Sequence, residues 1–176
     1  MANNCFYEMV AVAPKKETLE RLISIMNYKD DEYFIYRCFS ANDDGIYFDE
    51  KSKLYNVGIN GDMAWGTSPW FEHTEKKDLL IMLGEKDGKT QYGTAHLVSL
   101  DILCQKLDMG IECFAEESGC AFQEFHSANH LGEVYADSAE WYEYWCDENG
   151  NELDEPRTEG GLDYMGDYSD YETIYG

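Results

Sequence analysis

The last quarter of the chain, Glu133–Gly176, combines dense negative charge with many aromatic residues. It contains fourteen Asp and Glu residues and a single base, Arg157. Nine aromatic residues stand between the acids: Tyr135, Trp141, Tyr142, Tyr144, Trp145, Tyr164, Tyr168, Tyr171 and Tyr175. Disordered acidic segments are usually poor in aromatic residues, because they have no core in which to bury them. We therefore predict that at least the first half of this segment is folded and carries a negative surface.

The composition of the whole chain limits its partners. The 176 residues carry a net charge of −23, and 44% of them are hydrophobic, which predicts one domain with a substantial core. A field of this sign repels nucleic acids and anionic membranes, since phosphate binding requires Lys and Arg. It attracts basic surfaces, including the nucleic-acid grooves of other proteins. Solubility alone is the alternative explanation, although it accounts less well for the concentration of charge at one end.

The N-terminal and cysteine patterns predict a cytoplasmic protein. The first residues show no basic region followed by an apolar run, and no apolar stretch approaches the ~20 residues that span a bilayer. The six cysteines are scattered without a Cys-x-x-Cys motif: Cys5, Cys38, Cys104, Cys113, Cys120 and Cys146. We expect them to be reduced and mostly buried.

Hydrophobic periodicity divides the chain into short strands and two helices. The predicted strands are Cys5–Ala13, Glu32–Ser40, Asp78–Gly84, Ile111–Glu116 and Cys120–His126. Helices are predicted at Lys15–Asn27 and from Ser99 to about Gly110. A hairpin arm is predicted after these elements. Its strand segments are Gly132–Tyr135, Glu140–Cys146 and a return at Glu152–Glu155, with an Asn-Gly turn at Asp147–Asn151. A linker is predicted to follow at Pro156–Gly161.

This order of elements predicts an α+β fold. We expect a ferredoxin-like (split βαβ) arrangement, in which two helices cover one face of an antiparallel sheet and C-terminal hairpin strands extend the sheet. The predicted domain covers residues 1–155, with an insertion at about residues 42–72. Residues 156–176 are predicted to form an acidic, tyrosine-rich C-terminal tail.

Several short motifs resemble those of one protein family. They are Asn4-Cys5 and Ala13-Pro14 at the ends of the first strand, a central Trp65-Gly66-Thr67, and Gly119-Cys120-Ala121-Phe122 after the late helix. Over most of residues 1–150 the chain thus resembles the YubB-type ferredoxin-like proteins of phages and plasmids, although Ser68-Pro69-Trp70 replaces their Lys-Trp-Asp. The resemblance implies a mobile-element origin and action in the cytoplasm of a host cell, and it carries over no catalytic residues. Small, very acidic phage proteins are often similar to anti-CRISPR and anti-restriction proteins that imitate DNA.

Two patterns around His126 could carry chemistry. His126 and His130 have a His-x₃-His spacing, with Cys113 and Cys120 upstream, but no Cys-x₂₋₄-Cys motif accompanies them. Cys120 and His126 could form a nucleophile and its base. A reactive thiolate needs positive surroundings, whereas the neighbours here are the acids Glu116, Glu117 and Glu124. We therefore expect neither a structural zinc nor a catalytic pair.

Other sequence patterns also argue against a cofactor or a reaction. Asp147–Asn151 imitates the start of a calcium loop, but Glu152 occupies the position of the required Gly, so a hairpin turn explains it better. Nucleotide-binding Gly-rich motifs and Gly-x-Ser-x-Gly are absent. We expect no catalytic residues, no metal and no cofactor, and therefore a protein that is not an enzyme.

Two aromatic groups leave alternatives open. Trp65–Trp70 could bind a small molecule or could be a loop that caps the core, and the second is favoured because large aromatic residues dominate cores. In the tail, Tyr164, Tyr168, Tyr171 and Tyr175 would form one stripe on a helix. That stripe could dock on this domain, pair two subunits or anchor in a partner, or the terminus could be frayed.

The acidic surface predicts an inhibitor that imitates DNA and blocks the groove of a basic nucleic-acid-binding protein. The expected partner is a CRISPR-Cas or restriction nuclease, with Cas9 as the first candidate on the resemblance above. The acids predicted to bind are Glu140, Glu143, Asp147, Glu148, Glu152, Asp154 and Glu155. The predicted aromatic anchors are Trp141, Tyr144 and Trp145.

Two other functions remain open from sequence. One is an acidic cytoplasmic binding module in which the charge serves only solubility. The other is an enzyme or a sequestering protein for a nucleotide signal, with its site near Trp65–Trp70.

Overall fold

The computed structural model describes residues 4–86, 89–117, 121–163 and 168–176, with side chains at all of these except 82–86. Strands make up 52% of the structure, and its described helices are short. No described helix is long and apolar enough to span a membrane.

The main sheet has eight strands and curls into a half-barrel. The strands are β1 (Asn4–Ala13), β3 (Asn42–Asp43), β4 (Tyr47–Asp49), β5 (Leu54–Ala64), β8 (Gly110–Glu117), β9 (Phe122–Ala128), β10 (Val134–Cys146) and β11 (Glu152–Gly160). Their order is β11-β10-β9-β8-β1-β5-β3, and β4 also pairs with β5. Every pairing described within this sheet is antiparallel.

A smaller sheet and three helices complete the fold. The small sheet consists of β2 (Tyr33–Phe34), β7 (Lys89–Val98) and β6 (Glu75–Lys86), in that order. The helices are α1 (Lys16–Met26), α2 (Leu100–Leu107) and α3 (Tyr171–Tyr175), and a single 3-10 turn covers Ser68–Trp70.

The core lies between one face of the main sheet and the helices α1 and α2. Alternation along β1 buries Cys5, Tyr7, Met9 and Ala11 on that face. The two predicted helices supply the opposite side, with Leu19, Leu22 and Met26 of α1 and Leu100, Leu103 and Cys104 of α2 all buried. The five described cysteines form no disulfide, and four of them are buried.

The prediction of a ferredoxin-like fold is wrong. A ferredoxin-like domain is a β-α-β-β-α-β chain, in which the strand after each helix returns to the same antiparallel sheet. Here β2, the strand that follows α1, lies in the small sheet, and β1 pairs with β5 and β8 in a curled sheet of eight strands. Among the described pairings, the parallel one joins β2 to β7 over two residues of the small sheet. The fold is therefore mostly β, a curled antiparallel sheet with short helices.

The error arose in the segments that were assigned to an insertion and to the core. Within the predicted insertion, only a short strand-like piece was expected at Leu54–Ile59, whereas residues 54–64 form β5, which pairs with β1 over ten positions. The apolar stretch Asp78–Gly84, predicted as a core strand, belongs to β6 in the small sheet, where Leu80 is 67% exposed. Of the predicted strand Glu32–Ser40, only Tyr33–Phe34 is paired as a strand among the described residues. The linker predicted at Pro156–Gly161 is mostly strand, because β11 continues to Gly160.

The C-terminal segment covers the second face of the sheet. Ile174 of α3 is buried against Val12 and Leu54. The ring of Tyr168 meets Phe114 edge to face, with 5.0 Å between the ring centroids. Of the alternatives left open for the tyrosine stripe, the structure therefore shows docking on this domain for Tyr168, Tyr171 and Tyr175. Tyr164 lies outside the described residues.

Candidate partner-binding surface

The predicted hairpin arm forms the outer edge of the main sheet. The first half of β10, Val134–Glu140, pairs with β9, and the second half pairs with β11. We call the segment Glu140–Gly160 the acidic arm. The arm lies beyond β9 at the edge of the sheet, with the face of Tyr142 and Tyr144 exposed and the face of Trp141 and Glu143 half-buried.

The predicted turn closes this ribbon. The amide of Asp147 donates to the carbonyl of Asn151 at 2.8 Å, and Gly150 adopts a φ of 82°. The Asp147 carboxylate accepts hydrogen bonds from the side chain of Asn151 and from the amides of Asn151 and Asn149, each at 2.8 Å. These hydrogen bonds lower the pKa of Asp147, because they favour its charged form. Asp147 therefore shapes the turn, as in an Asx turn, and its carboxylate is less free for a partner than the other predicted acids.

One face of the arm combines tyrosines with charge. Tyr142 and Tyr144 stack with 6.4 Å between their centroids, and the Tyr142 hydroxyl donates to Glu140 Oε2 at 3.1 Å. This hydrogen bond raises the pKa of Tyr142. The Arg157 guanidinium lies 5.3 Å from the centroid of Tyr144 and contacts Glu159 at 3.1 Å. The rings are thus fixed at the surface by neighbours on the same face.

The predicted aromatic anchors are surface residues. Tyr144 and Trp145 are 38% and 54% exposed, and Trp141 is half-buried. None of these rings belongs to the described core clusters. Side chains of this size that remain exposed in a folded strand are typical of contact surfaces.

The predicted acids differ in their exposure. Those exposed are Glu140, Glu148, Glu152, Asp154 and Glu155. Glu143 and Asp147 are half-buried. Glu148 lies 3.7 Å from Arg157, whereas Glu152, Asp154 and Glu155 have no ion pair among the described residues. The last three are therefore the least compensated charges of the arm.

The acidic surface extends beyond the arm onto neighbouring strands. A shallow depression of about 200 Å³ is lined by Trp141 and Glu143 of the arm together with Phe6, Asp62 and Glu116. Asp62 lies on β5 and Glu116 on β8, so three strands that are distant in sequence contribute carboxylates to one surface. Neither Asp62 nor Glu116 was predicted to belong to the binding surface, because pairing across the sheet is not visible as a local pattern.

Charge is segregated along the main sheet. Residues from Gly110 to Gly176 include eighteen Asp and Glu but one base, Arg157, while the other twelve bases lie between Lys15 and Lys106. Eleven of these eighteen acids lie on β8, β9, β10 and β11, which are consecutive in the sheet. Negative charge therefore accumulates at one end of the molecule, and its single base is already engaged with Glu159.

The Trp65–Trp70 segment is fixed to β9 by Glu124. The Glu124 carboxylate accepts from the amide and hydroxyl of Thr67 at 2.9 and 3.1 Å, and from the amide and hydroxyl of Ser68 at 3.3 and 3.0 Å. The indole of Trp70 is buried and donates to the Tyr36 carbonyl at 2.7 Å. At Trp70 the segment therefore caps the core, whereas Trp65 is 60% exposed.

His126 completes this hydrogen-bond network. Thr67 has one hydroxyl proton, which it donates to Glu124, so its oxygen accepts the Nδ1 proton of His126 at 2.9 Å. The His126 ring also stacks on Phe71 at 5.1 Å, and burial lowers its pKa. A neutral imidazole with its proton on Nδ1 fits both observations.

The two histidines that sequence spacing brought together have different neighbours. His126 faces Thr67 from β9, whereas His130 lies beyond β9, with Nδ1 2.8 Å from the Tyr175 carbonyl and its ring stacked on Tyr175. Within the described part of the chain, no group of three or more His, Cys, Asp or Glu side chains is placed to hold a metal ion. Burial raises the pKa of the Cys113 thiol. Cys120 lies outside the described residues.

Comparisons of the chain with protein-family models, with curated proteins and with solved structures found no match.

Proposed function

We propose that this chain is an inhibitor that occupies the nucleic-acid groove of a basic partner protein, with its acidic arm in the place of DNA. The observation that carries the proposal is the placement of Glu152, Asp154 and Glu155. They are exposed on an edge hairpin and have no ion pair among the described residues. The chain performs no chemistry in this function, because inhibition requires only that the groove be filled.

Geometry supports the comparison with a phosphate backbone. Residues two apart on an extended strand lie about 6.7 Å apart, and neighbouring strands are about 4.8 Å apart. Duplex DNA carries about one charge per 1.7 Å of its axis. A two-stranded ribbon whose acids extend onto Asp62 and Glu116 offers a dense array of carboxylates on a rigid support. A groove lined with Arg and Lys would bind such an array in competition with DNA.

The exposed rings add contacts that charge alone does not provide. Tyr144 and Trp145 are amphipathic and partly fixed, and residues of these types are enriched among the strongest contacts of interfaces. Charge complementarity speeds the encounter, and burial of the rings slows dissociation. Together they would make the complex specific for one groove rather than for any basic protein.

The class of partner follows from the resemblance to phage and plasmid proteins. We propose that the chain comes from a phage or other mobile element and acts on a defence nuclease of the host, in the host cytoplasm. An RNA-guided nuclease such as Cas9 is the first target to test, because it holds DNA in a long positively charged channel.

The test measures DNA cleavage by the purified nuclease as this protein is titrated against it. In the variant E152K/D154K/E155K, each reversal replaces a negative by a positive charge and so raises the net charge of the arm by two. Its control, E17K/E20K/D31K, makes the same change of charge on exposed residues in and near α1. We expect the arm variant to lose inhibition by a factor of about ten or more, as close charge pairs are lost, while the control inhibits normally.

Three outcomes would count against the proposal. Equal loss in both variants would mean that net charge, and not the arm, is responsible. Full inhibition by the arm variant would mean that these acids contribute only to solubility. Absence of inhibition of Cas9 and of restriction nucleases, together with no basic protein captured from host lysate in a salt-sensitive manner, would remove the nuclease partner altogether.

A further inference from the structure

A cleft lies between the Trp65–Trp70 segment and the small sheet. Its volume is about 410 Å³, within the range of about 300–1,000 Å³ that is usual for small-molecule sites. Pro69, Trp70, Leu79 and Leu97 supply an apolar lining. The other lining residues include Tyr36, Arg37, Thr74 and Lys76. The cleft thus brings two cationic side chains next to an apolar wall in a chain of net charge −23.

Arg37 differs from the other two arginines of the chain. Arg21 is paired with Asp30 and Glu32, and Arg157 is paired with Glu159. Arg37 has no carboxylate partner among the described residues, although acids outnumber bases by 36 to 13. Its guanidinium instead lies over the rings of Tyr36 and Trp65, at 4.6 and 5.1 Å from their centroids. Its hydrogen-bond donors are therefore held in place and remain open to an anion.

The backbone on both sides of this contact is in an unusual conformation. Arg37 and Trp65 have φ angles of 62° and 74°, in the left-handed region that large side chains rarely adopt. The two segments are joined by a hydrogen bond of 3.1 Å from the Ala64 amide to the Arg37 carbonyl. Backbone conformations of this kind persist where surrounding structure enforces them, and they are frequent at ligand sites. Here they bring the Arg37 guanidinium onto the Trp65 ring.

We propose that this cleft binds a nucleoside monophosphate. The phosphate is held by Arg37 and Lys76, because a guanidinium binds two phosphate oxygens at once and an ammonium adds a point charge. The base lies against the exposed ring of Tyr36 and the apolar lining. Trp65 acts as a positioning residue that keeps Arg37 in place. The chain binds this ligand without changing it.

The negative charge of the protein explains why the ligand needs a base as well as a phosphate. Glu72 also lines the cleft, and the whole protein repels anions at long range. Screening at physiological salt limits this repulsion to about 8 Å, so short-range contacts decide binding. A free phosphate lacks the stacking contacts, and a free nucleoside lacks the charge. Binding should therefore require both parts of the ligand and should strengthen when salt is raised from very low concentration.

The test is isothermal titration calorimetry of the full chain with AMP, GMP, CMP and UMP, followed by adenosine and inorganic phosphate alone. We expect saturable binding of at least one nucleotide, and binding of adenosine and of phosphate that is weaker by about tenfold or more. R37Q should weaken nucleotide binding by about tenfold or more, because it removes a charge-assisted contact. W65F should bind nearly as well as the native chain, and W65A should bind more weakly.

R157Q is the matched control, because Arg157 also lies over a tyrosine ring but belongs to the acidic arm. It should leave nucleotide binding unchanged. Should R37Q fail to fold, K76Q serves instead, since Lys76 is exposed and has no ion pair among the described residues. Absence of saturable binding by any of the four nucleotides would overturn the proposal. The proposal would also be overturned if R37Q and K76Q bound the nucleotide as tightly as the native chain does. An affinity for inorganic phosphate alone equal to that for the nucleotide would overturn it as well.

This proposal is independent of the acidic arm. R37Q and K76Q leave every residue of the arm unchanged, and E152K/D154K/E155K leaves the cleft unchanged. Loss of nucleotide binding and loss of nuclease inhibition can therefore be measured separately.

Discussion

At the scale of single residues, Glu124 decides the conformation of the segment that carries Trp65 and Trp70. One carboxylate accepts four hydrogen bonds from Thr67 and Ser68 and approaches the backbone of Gly66. A Cβ at Gly66 would lie 2.7 Å from Glu124 Oε2, and the φ of 94° is one that side chains rarely adopt. Gly66 is therefore needed both for the turn and for this close approach.

The replacement G66A tests this interpretation against G150A. Gly150 has a similar φ of 82°, but a Cβ there would meet no atom within 4 Å. We expect G150A to lower the free energy of unfolding by about 1 kcal/mol through backbone strain alone. G66A should lower the free energy of unfolding by about 1–3 kcal/mol more than G150A does, because Glu124 must also move. Urea unfolding measures both, and equal losses in the two variants would show that the contact with Glu124 is unimportant.

At the scale of elements, α3 and the residues before it turn the second face of the sheet into a small core. Ile174 is buried with Val12 and Leu54, and the Tyr175 hydroxyl donates to Asp108 at 2.6 Å. Asp170 caps the helix by accepting from the Thr173 amide at 3.0 Å. The backbone of α3 passes so close to Gly110 that a Cβ there would collide with the Ile174 carbonyl. A helix of five residues is stable here because of packing and not because of its length.

The variant I174A should detach this segment. Removal of a buried isoleucine side chain costs about 2–5 kcal/mol, and Ile174 is the buried side chain of α3. We expect a lower free energy of unfolding and faster hydrogen exchange at the His130 amide, which donates to the Tyr175 carbonyl at 3.1 Å. E172A, at an exposed position of the same helix, is the control and should change neither measurement. Unchanged exchange at His130 in I174A would contradict the docking.

At the scale of the whole molecule, the distribution of charge matters more than its total. Twelve of the thirteen bases lie before residue 107, and the strands β8–β11 carry the acids with little compensation. Repulsion among these acids opposes folding, because it is greater in the compact state than in the extended chain. Binding in a basic groove would relieve the same repulsion. Part of the free energy that the repulsion takes from folding would therefore be recovered as free energy of binding.

Salt should therefore stabilise the folded protein. Raising sodium chloride from about 0.01 to 0.1 M shortens the screening length from about 30 to 10 Å. We expect the free energy of unfolding to rise by about 1 kcal/mol or more, measured by urea unfolding at neutral pH. The variant E152K/D154K/E155K has a net charge of −17, since each reversal adds two to −23, and it should respond less. A native chain that is indifferent to salt, or destabilised by it, would contradict this account.

Local patterns in the sequence were sufficient to predict several elements. The periodicity of α1 and α2 identified both helices and most of their buried faces. The apolar run Cys5–Ala13 also predicted β1, and the Asn-Gly pair predicted the turn of the arm. These predictions succeeded because spacing along one element determines which side chains share a face. Net charge and its concentration at the C-terminal end follow from the sequence alone.

Pairing between distant segments was decided only in the tertiary structure. β5 lay in a segment assigned to an insertion, and the curled eight-stranded sheet with its short helices excluded the ferredoxin-like fold. Glu124 and Arg37 gave no signal either, because a lone acid or base among many has no distinguishing neighbours in sequence. Hydrogen bonds across a sheet and contacts between loops depend on which strands become neighbours, and that choice is made by the packing of the whole chain.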